Sequence, residues 1–170
     1  MTTSKQDIYK DRYKLIPRVL IFAVRGESVL LIKGSPSKNI WPNLYNGIGG
    51  HVEKGEDFLS AAHREFREET GVELLDPWLC ALITIDITKE TGISMAVFRG
   101  EVGIGELIAS DEGELQFANP KEIQHLPLVE DIPILLPKVL AMKKDSQPLH
   151  AHYQYFDGEL VIEFNQGFRS

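Results

Sequence analysis

Apolar residues in this chain fall into short runs with two different periods. "YKLIPRVLIFAV" (13–24) and "SVLLIK" (28–33) are continuous aliphatic or β-branched runs parted by "RGE", which predicts two strands around a tight turn. "WLCALITIDITK" (78–89) and "ISMAVFRGEVGI" (93–104) predict two longer strands joined around "ETG", and "ELQFAN" (114–119) reads as a further short one. "HAHYQYF" and "ELVIEF" flank Asp157-Gly158, a hairpin signal. The period changes in two places. Over 57–69, Phe58, Leu59, Ala62 and Phe66 recur at helical spacing and would face a core, with Gly71 where a helix stops. "IPILLPKVLAMKK" (132–144) reads as a second helix. Pro133 suits its first turn, and Pro137 is expected to kink the helix or delay its start.

The segment 34–43, "GSPSKNIWPN", has turn chemistry, and 44–52 is short and glycine-dense. Strands that follow one another in hairpins, with one central and one late helix, predict an α+β domain with a mixed sheet. Residues 14–170 are read as that single domain, and the polar segment 1–13 as loosely held.

Composition adds limits. Charged residues are 25% and hydrophobic residues 43%, ordinary for a globular chain of 170 residues. A net charge of -7 argues against general nucleic-acid binding, whose footprint is a basic patch. Cys80 is the only cysteine, so neither an intrachain disulfide nor a thiolate zinc cluster is available. The first residues lack the apolar core of a signal peptide, and no apolar run reaches transmembrane length. A cytoplasmic protein without membrane contact is the simplest reading.

One acidic segment departs from the average. "GGHVEKGEDFLSAAHREFREETGVEL" (49–74) holds seven acidic side chains. Glu65, Glu68 and Glu69 are spaced i, i+3, i+4, so a helix brings their carboxylates to one face, and Glu56 lies just before it. Arg64 is four residues from Glu68 and could brace it. A solvated charged face is the ordinary meaning of such a run. A convergent set of hard oxygen donors is also what Mg²⁺ or Mn²⁺ requires, and a bound cation turns an acidic cluster into a site for phosphate.

Residues 50–72 resemble the Nudix box through Gly50, Glu56, Arg64, Glu65, Phe66, Glu68, Glu69, Gly71 and Val72. Phe66 is a looser choice than an aliphatic. A chance match of this kind is roughly one in ten million at average residue usage. The resemblance implies a mixed sheet sandwiched between helices, α/β/α, with the box as loop–helix–loop. It implies hydrolysis of a nucleoside diphosphate linked to a further moiety X. By position, Glu65, Glu68 and Glu69 would ligate Mg²⁺, with Mn²⁺ as the alternative. Glu65 could instead serve as base, Glu56 would support the metal site, and Arg64 would orient the glutamates. The Gly49-Gly50 backbone would approach the ligand closely.

"YNGIGGHV" is similar to the segment that precedes the box in the MutT-like, 8-oxo-dGTP diphosphatase branch. That implies a purine contact for Asn46, against an ordinary turn-stabilising Asn. "SDEGELQF" (110–117) resembles the branch's second acidic segment, which points to Glu112 as a metal ligand, with Glu114 the competitor. "LVEDIP" (128–133) falls where a purine-reading acidic pair lies, so Glu130 and Asp131 are substrate-binding candidates. Asp131 also stands where a helix N-cap belongs, and that reading is preferred. The branch's aromatics are partly missing: Tyr45 replaces a Trp, and no Trp lies near the acidic pair. Stacking on a base would then fall to Phe22, Tyr45 or Phe117. Trp41 and Trp78 are read as packing anchors, Trp41 with access to the site rim. His150 and His152 are read as structural.

The expected substrate is a purine nucleoside triphosphate, oxidised or not, cut to monophosphate and pyrophosphate. ADP-ribose or another nucleotide sugar, a non-catalytic nucleotide sensor and an RNA cap are the alternatives, and a homodimer stays open.

Overall fold

The computed structural model describes residues 12–165. Residues 1–11 of the segment expected to be loose lie outside that range. Tyr13, at its end, donates a hydrogen bond of 2.6 Å to Asp86.

The chain runs β1 (Lys14–Arg25), β2 (Ser28–Gly34), β3 (Tyr45–Asn46), β4 (Ile48–His51), α1 (Phe58–Thr70), β5 (Leu74–Asp86), β6 (Thr91–Val102), β7 (Gly113–Ala118), a 3₁₀ turn (Ile123–His125), α2 (Ile132–Ala141), β8 (Leu149–Phe156) and β9 (Glu159–Asn165). The strands form one mixed sheet in the order β3-β2-β1-β6-β5-β8-β9, with β4 on β1 and β7 on β2. β1 runs parallel to β6, and β5 parallel to β8; the other pairs are antiparallel.

β1 is buried on both faces, which explains its unbroken apolar run. Val19, Ile21 and Ala23 point to one layer with Ala61, Ala62 and Phe66 of α1. Leu20 and Phe22 point to the other layer with Ile132, Leu135, Leu136 and Val139 of α2. The sheet is thus sandwiched between one helix on each face.

One edge of β1 is shared. Its outer half, Ala23–Arg25, pairs with β2, while Arg18–Ile21 pair with β4. Farther along β2, Ile32 and Lys33 take up β3. The chain between β3 and β4 therefore crosses the splay between β1 and β2, and it delivers the segment before α1 to that gap.

Some expectations need correction. Leu59 is 43% exposed and leaves the core to Ala61, Ala62 and Phe66. β5 begins at Leu74, ahead of the expected position. Asp76 at φ 49, Pro77 and two register shifts interrupt its pattern and hide its start. α2 starts at Ile132 and contains Pro137, so the proline does not delay it. The hairpin at Asp157-Gly158 forms with both residues at positive φ, as a type I′ turn requires. Among the described residues no helix is long and apolar enough to cross a membrane.

Candidate active site

The acidic end is built on α1. Asp57 caps the helix, accepting from the Ser60 backbone N–H at 2.9 Å, and Gly71 closes it in the left-handed region at φ 76. Arg64 is the hub. Its Nε and one terminal nitrogen donate to Glu56 at 3.0 and 2.6 Å, and its other terminal nitrogen donates to Glu65 at 2.8 Å and Glu68 at 3.2 Å. It also donates to the His51 carbonyl at 2.9 Å. Glu56 further accepts from the Glu53 N–H. These bonds hold its carboxyl below the ordinary range, the Arg64 hydrogen bond most of all.

Glu69 is treated differently. Its side chain is 8% exposed, and Arg64 does not reach it. Burial, and then the neighbouring charge of Glu65, push its carboxyl up to about 8; Glu112 and Glu68 act in the same direction and Lys38 opposes them. Lys38 itself pairs with Glu112. Glu112 is thus a downstream acid whose charge acts on Glu69.

The two glycines before α1 have packing reasons of their own. A Cβ on Gly49 would lie 2.2 Å from the Val19 carbonyl oxygen, and one on Gly50 would lie 2.3 Å from the Glu65 carboxylate. Gly50 makes room for Glu65, and Gly49 also faces the cleft described next.

That cleft, of about 190 Å³, joins Glu69 to residues from distant parts of the chain. Asn46, Glu130 and Asp131 line it, as do Lys38 and Trp41 of the 34–44 loop and Tyr153 and Tyr155 of β8. Ile85, Ile93 and Met95 supply an apolar floor. Asn46 Oδ1 accepts from the Gly47 N–H at 2.8 Å, so the turn-stabilising reading holds while the side chain still faces the cleft. Asp131 occupies the N-cap position of α2 but makes no side-chain cap bond, which corrects the preferred reading of it as a cap. It is 9% exposed, and burial, with Glu130 adding to it, pushes its carboxyl up to about 6. Glu130 is exposed and accepts from the Tyr155 hydroxyl. The buried Tyr153 hydroxyl has no hydrogen bond of ordinary geometry, and burial and Asp131 raise its pKa.

Sequence reasoning missed Lys38, Tyr153, Tyr155 and Arg18. Arg18 is half-buried and lines the cleft, its side chain making no hydrogen bond or ion pair among the described residues. These residues come from separate elements, so no spacing could have joined them. Phe22, Tyr45 and Phe117 do not line the cleft. His152 pairs with Asp86 at 2.9 Å, a structural contact.

The carboxylates are not already gathered around one point: among the described residues no three His, Cys, Asp or Glu side chains stand as a metal-holding group. Arg64 takes up Glu65 and Glu68, and Lys38 takes up Glu112. The donor chemistry nevertheless fits a hard divalent cation. Glu69 is buried among like charges that a cation would neutralise, and every donor is a carboxylate oxygen.

A profile of the NUDIX domain matches residues 14–139. The oxidized purine nucleoside triphosphate hydrolase of Danio rerio is 29% identical over 145 residues, covering 85% of this chain and 89% of that protein. An m7GpppN-mRNA hydrolase of Xenopus laevis is 52% identical over 49 residues, which span 29% of this chain and only 17% of that protein. The crystal structure of a mutator MutT protein from Bacillus halodurans superposes with a TM-score of 0.76 at 23% identity, covering 89% of this chain and 98% of the other, a likeness of fold.

Proposed function

The chain belongs to the Nudix family of hydrolases that act on pyrophosphate bonds, and from that premise we propose that it converts a purine nucleoside triphosphate, oxidised or not, to the monophosphate and pyrophosphate. The observation that carries this reading is the continuity of one cleft from buried Glu69 to Asn46, Glu130 and Asp131. The Danio rerio hydrolase, similar over most of both chains, supports the substrate class.

In this reading Glu65, Glu68 and Glu69, with Glu112, hold Mg²⁺ or Mn²⁺. The cation would supply charge neutralisation for the diphosphate and activation of the attacking water. The chain's own residues do the rest. Arg64 holds Glu56, Glu65 and Glu68 in place, so their geometry is set before substrate arrives. Lys38, at the cleft wall near Glu69, donates to a phosphate oxygen. Asn46 keeps Oδ1 on the Gly47 N–H and offers its amide nitrogen to an acceptor on the base edge. Asp131 and Glu130 face the donors of that edge. Phosphoryl transfer needs mainly such positioning and charge stabilisation.

The test is a panel of dGTP, 8-oxo-dGTP, ADP-ribose and NAD with Mg²⁺ or Mn²⁺. A purine triphosphate should release pyrophosphate fastest, with release abolished by EDTA and restored by Mg²⁺. Preference for ADP-ribose would replace the proposed substrate. A nucleotide that raises the melting temperature with no turnover in either metal would make the chain a sensor.

A further inference from the structure

The fold removes all three aromatic residues expected to stack on a base. Phe22 is fully buried beneath Gly47. Tyr45 is buried with its hydroxyl on Gln116. Phe117 lies under the Arg25 guanidinium, 4.9 Å from the ring centroid. A flat heterocycle in the cleft must find its partner elsewhere.

Among the described residues three aromatics line the cleft: Trp41, Tyr153 and Tyr155. Tyr153 is only 2% exposed; Tyr155 is 46% exposed, but its hydroxyl is bonded to Glu130, which fixes its ring beside the acidic pair. Trp41 is 42% exposed, beside Ile40 at 63%. Its loop is nonetheless well anchored. Gly34 N–H donates to the Leu44 carbonyl at 3.0 Å, Asn43 N–H to the Gly34 carbonyl at 2.9 Å, and Ser35 N–H to the Glu112 carbonyl at 3.0 Å. The Trp41 carbonyl oxygen comes so near Gly34 that a Cβ there would stand 2.6 Å from it.

The backbone of Trp41 is the second observation. Its φ is 54, in the left-handed region that a bulky side chain occupies only against strain. Pro42, next in the chain, narrows its choices further. A packing anchor would bury its ring, and a loop free of constraint would relax the strain. Here an anchored, strained turn holds an indole half-open at the cleft wall. Such strain concentrates where a side chain has to be presented.

The geometry points to Trp41 as the residue that stacks on the base of the bound nucleotide and sets the preference for ligands with a large planar ring. This rests on the reading of the cleft as a nucleotide site. Stacking on an indole tolerates any base, so Trp41 supplies affinity for the ring while Asn46 and the acidic pair read its edge.

The experiment uses Trp78→Phe, which removes the only other tryptophan, from a site away from the cleft. GMP has no pyrophosphate bond to cut, and ribose 5-phosphate is the same ligand without its base. At GMP or AMP concentrations that raise the melting temperature, Trp41 fluorescence should be quenched saturably, and ribose 5-phosphate should leave it unchanged. Trp41→Phe should keep most of the GMP affinity, whereas Trp41→Ala should lose roughly 5- to 150-fold, the span of base–aromatic stacking. Equal responses to GMP and ribose 5-phosphate would overturn the assignment, as would undiminished GMP affinity in Trp41→Ala. The fluorescence arm needs no Trp41 variant, so it decides even if Trp41→Ala folds poorly. Hydrolysis of dGTP without a GMP quench sinks Trp41 alone; a quench without hydrolysis of any panel member sinks the hydrolase reading alone.

Discussion

Beyond Glu69, at the acidic end of the site, a single guanidinium serves three glutamates. At the other, Glu130 and Asp131 sit side by side with tyrosine hydroxyls for company. Glu56, bonded twice by Arg64, is held below the ordinary carboxylate range, whereas buried Asp131 is raised to about 6. Glu69 belongs to the first end by sequence and resembles the second by environment, since Arg64 passes it by and burial raises it to about 8. The difference separates preorganised charge from charge left over for a partner. Carboxylates that Arg64 holds are positioned; those it does not reach, and that burial raises, are where a cation or a base edge gains most by binding.

Glu69→Gln tests this most severely. Glutamine keeps the shape and cannot carry the charge, so hydrolysis should fall roughly 10²–10³-fold, a loss of several kcal/mol in transition-state stabilisation. The stability change should have the opposite sign. Glu69 titrates near 8 in the folded protein without a cation, against a reference of 4.5. The folded state thus binds the extra proton between those values, and its stability falls as pH rises through that window. Metal-free Glu69→Gln should melt above the parent at pH 8 and converge with it near pH 4.5, and its gain in melting temperature from Mg²⁺ should shrink. Parental turnover in this variant would remove Glu69 from the site.

Arg64→Lys asks whether the first end needs its fork. Lysine keeps the charge but cannot donate in parallel to Glu56 while reaching Glu65 and Glu68. Turnover should drop about 10- to 100-fold, the usual cost of losing a group that orients metal ligands, with a higher Mg²⁺ concentration needed for half-maximal rate. An unchanged Mg²⁺ requirement would mean that positive charge alone suffices.

The contrast between the two ends also explains what could be read from the chain. Glu56, Arg64, Glu65, Glu68 and Glu69 are legible because a helix converts spacing into proximity, and α1 spans nearly the range the apolar period indicates. The strands of β1, β2 and the late hairpin are legible because burial on both faces, or an Asp-Gly turn, marks them locally. The far end is not local. Asn46 reaches residues 128–129 through a short bridge at Tyr45, and Asp131 meets Tyr153 only because β8 lies beside β5. No period encodes that neighbourhood. Asp131 illustrates the cost: its place before a helix suggests a cap, yet the structure gives it no cap bond and buries it in the cleft.

Asp131→Asn carries the smallest expected effect and separates the two ends most cleanly. Asp131 faces Glu130 and the Tyr153 hydroxyl and titrates near 6 against a reference of 3.8, with burial the chief cause. The folded state holds the extra proton between those values, so this group's contribution to stability is full below pH 3.8 and declines as pH rises through 6. Asparagine stays neutral, and the variant should therefore melt higher than the parent at pH 8 and lose that advantage at low pH. For catalysis the sign reverses. In the proposed reading the parent presents, above pH 6, a carboxylate to the donors of a base edge, and asparagine offers a weaker acceptor; KM for dGTP should rise about 3- to 10-fold at pH 8, the worth of one hydrogen bond. At pH 5, where Asp131 is protonated, the two KM values should approach each other, and kcat should be unaffected throughout because the acidic end is untouched. A kcat that falls with KM unchanged would move Asp131 into the chemistry, and a KM that is the same at both pH values would confine it to the buried start of α2.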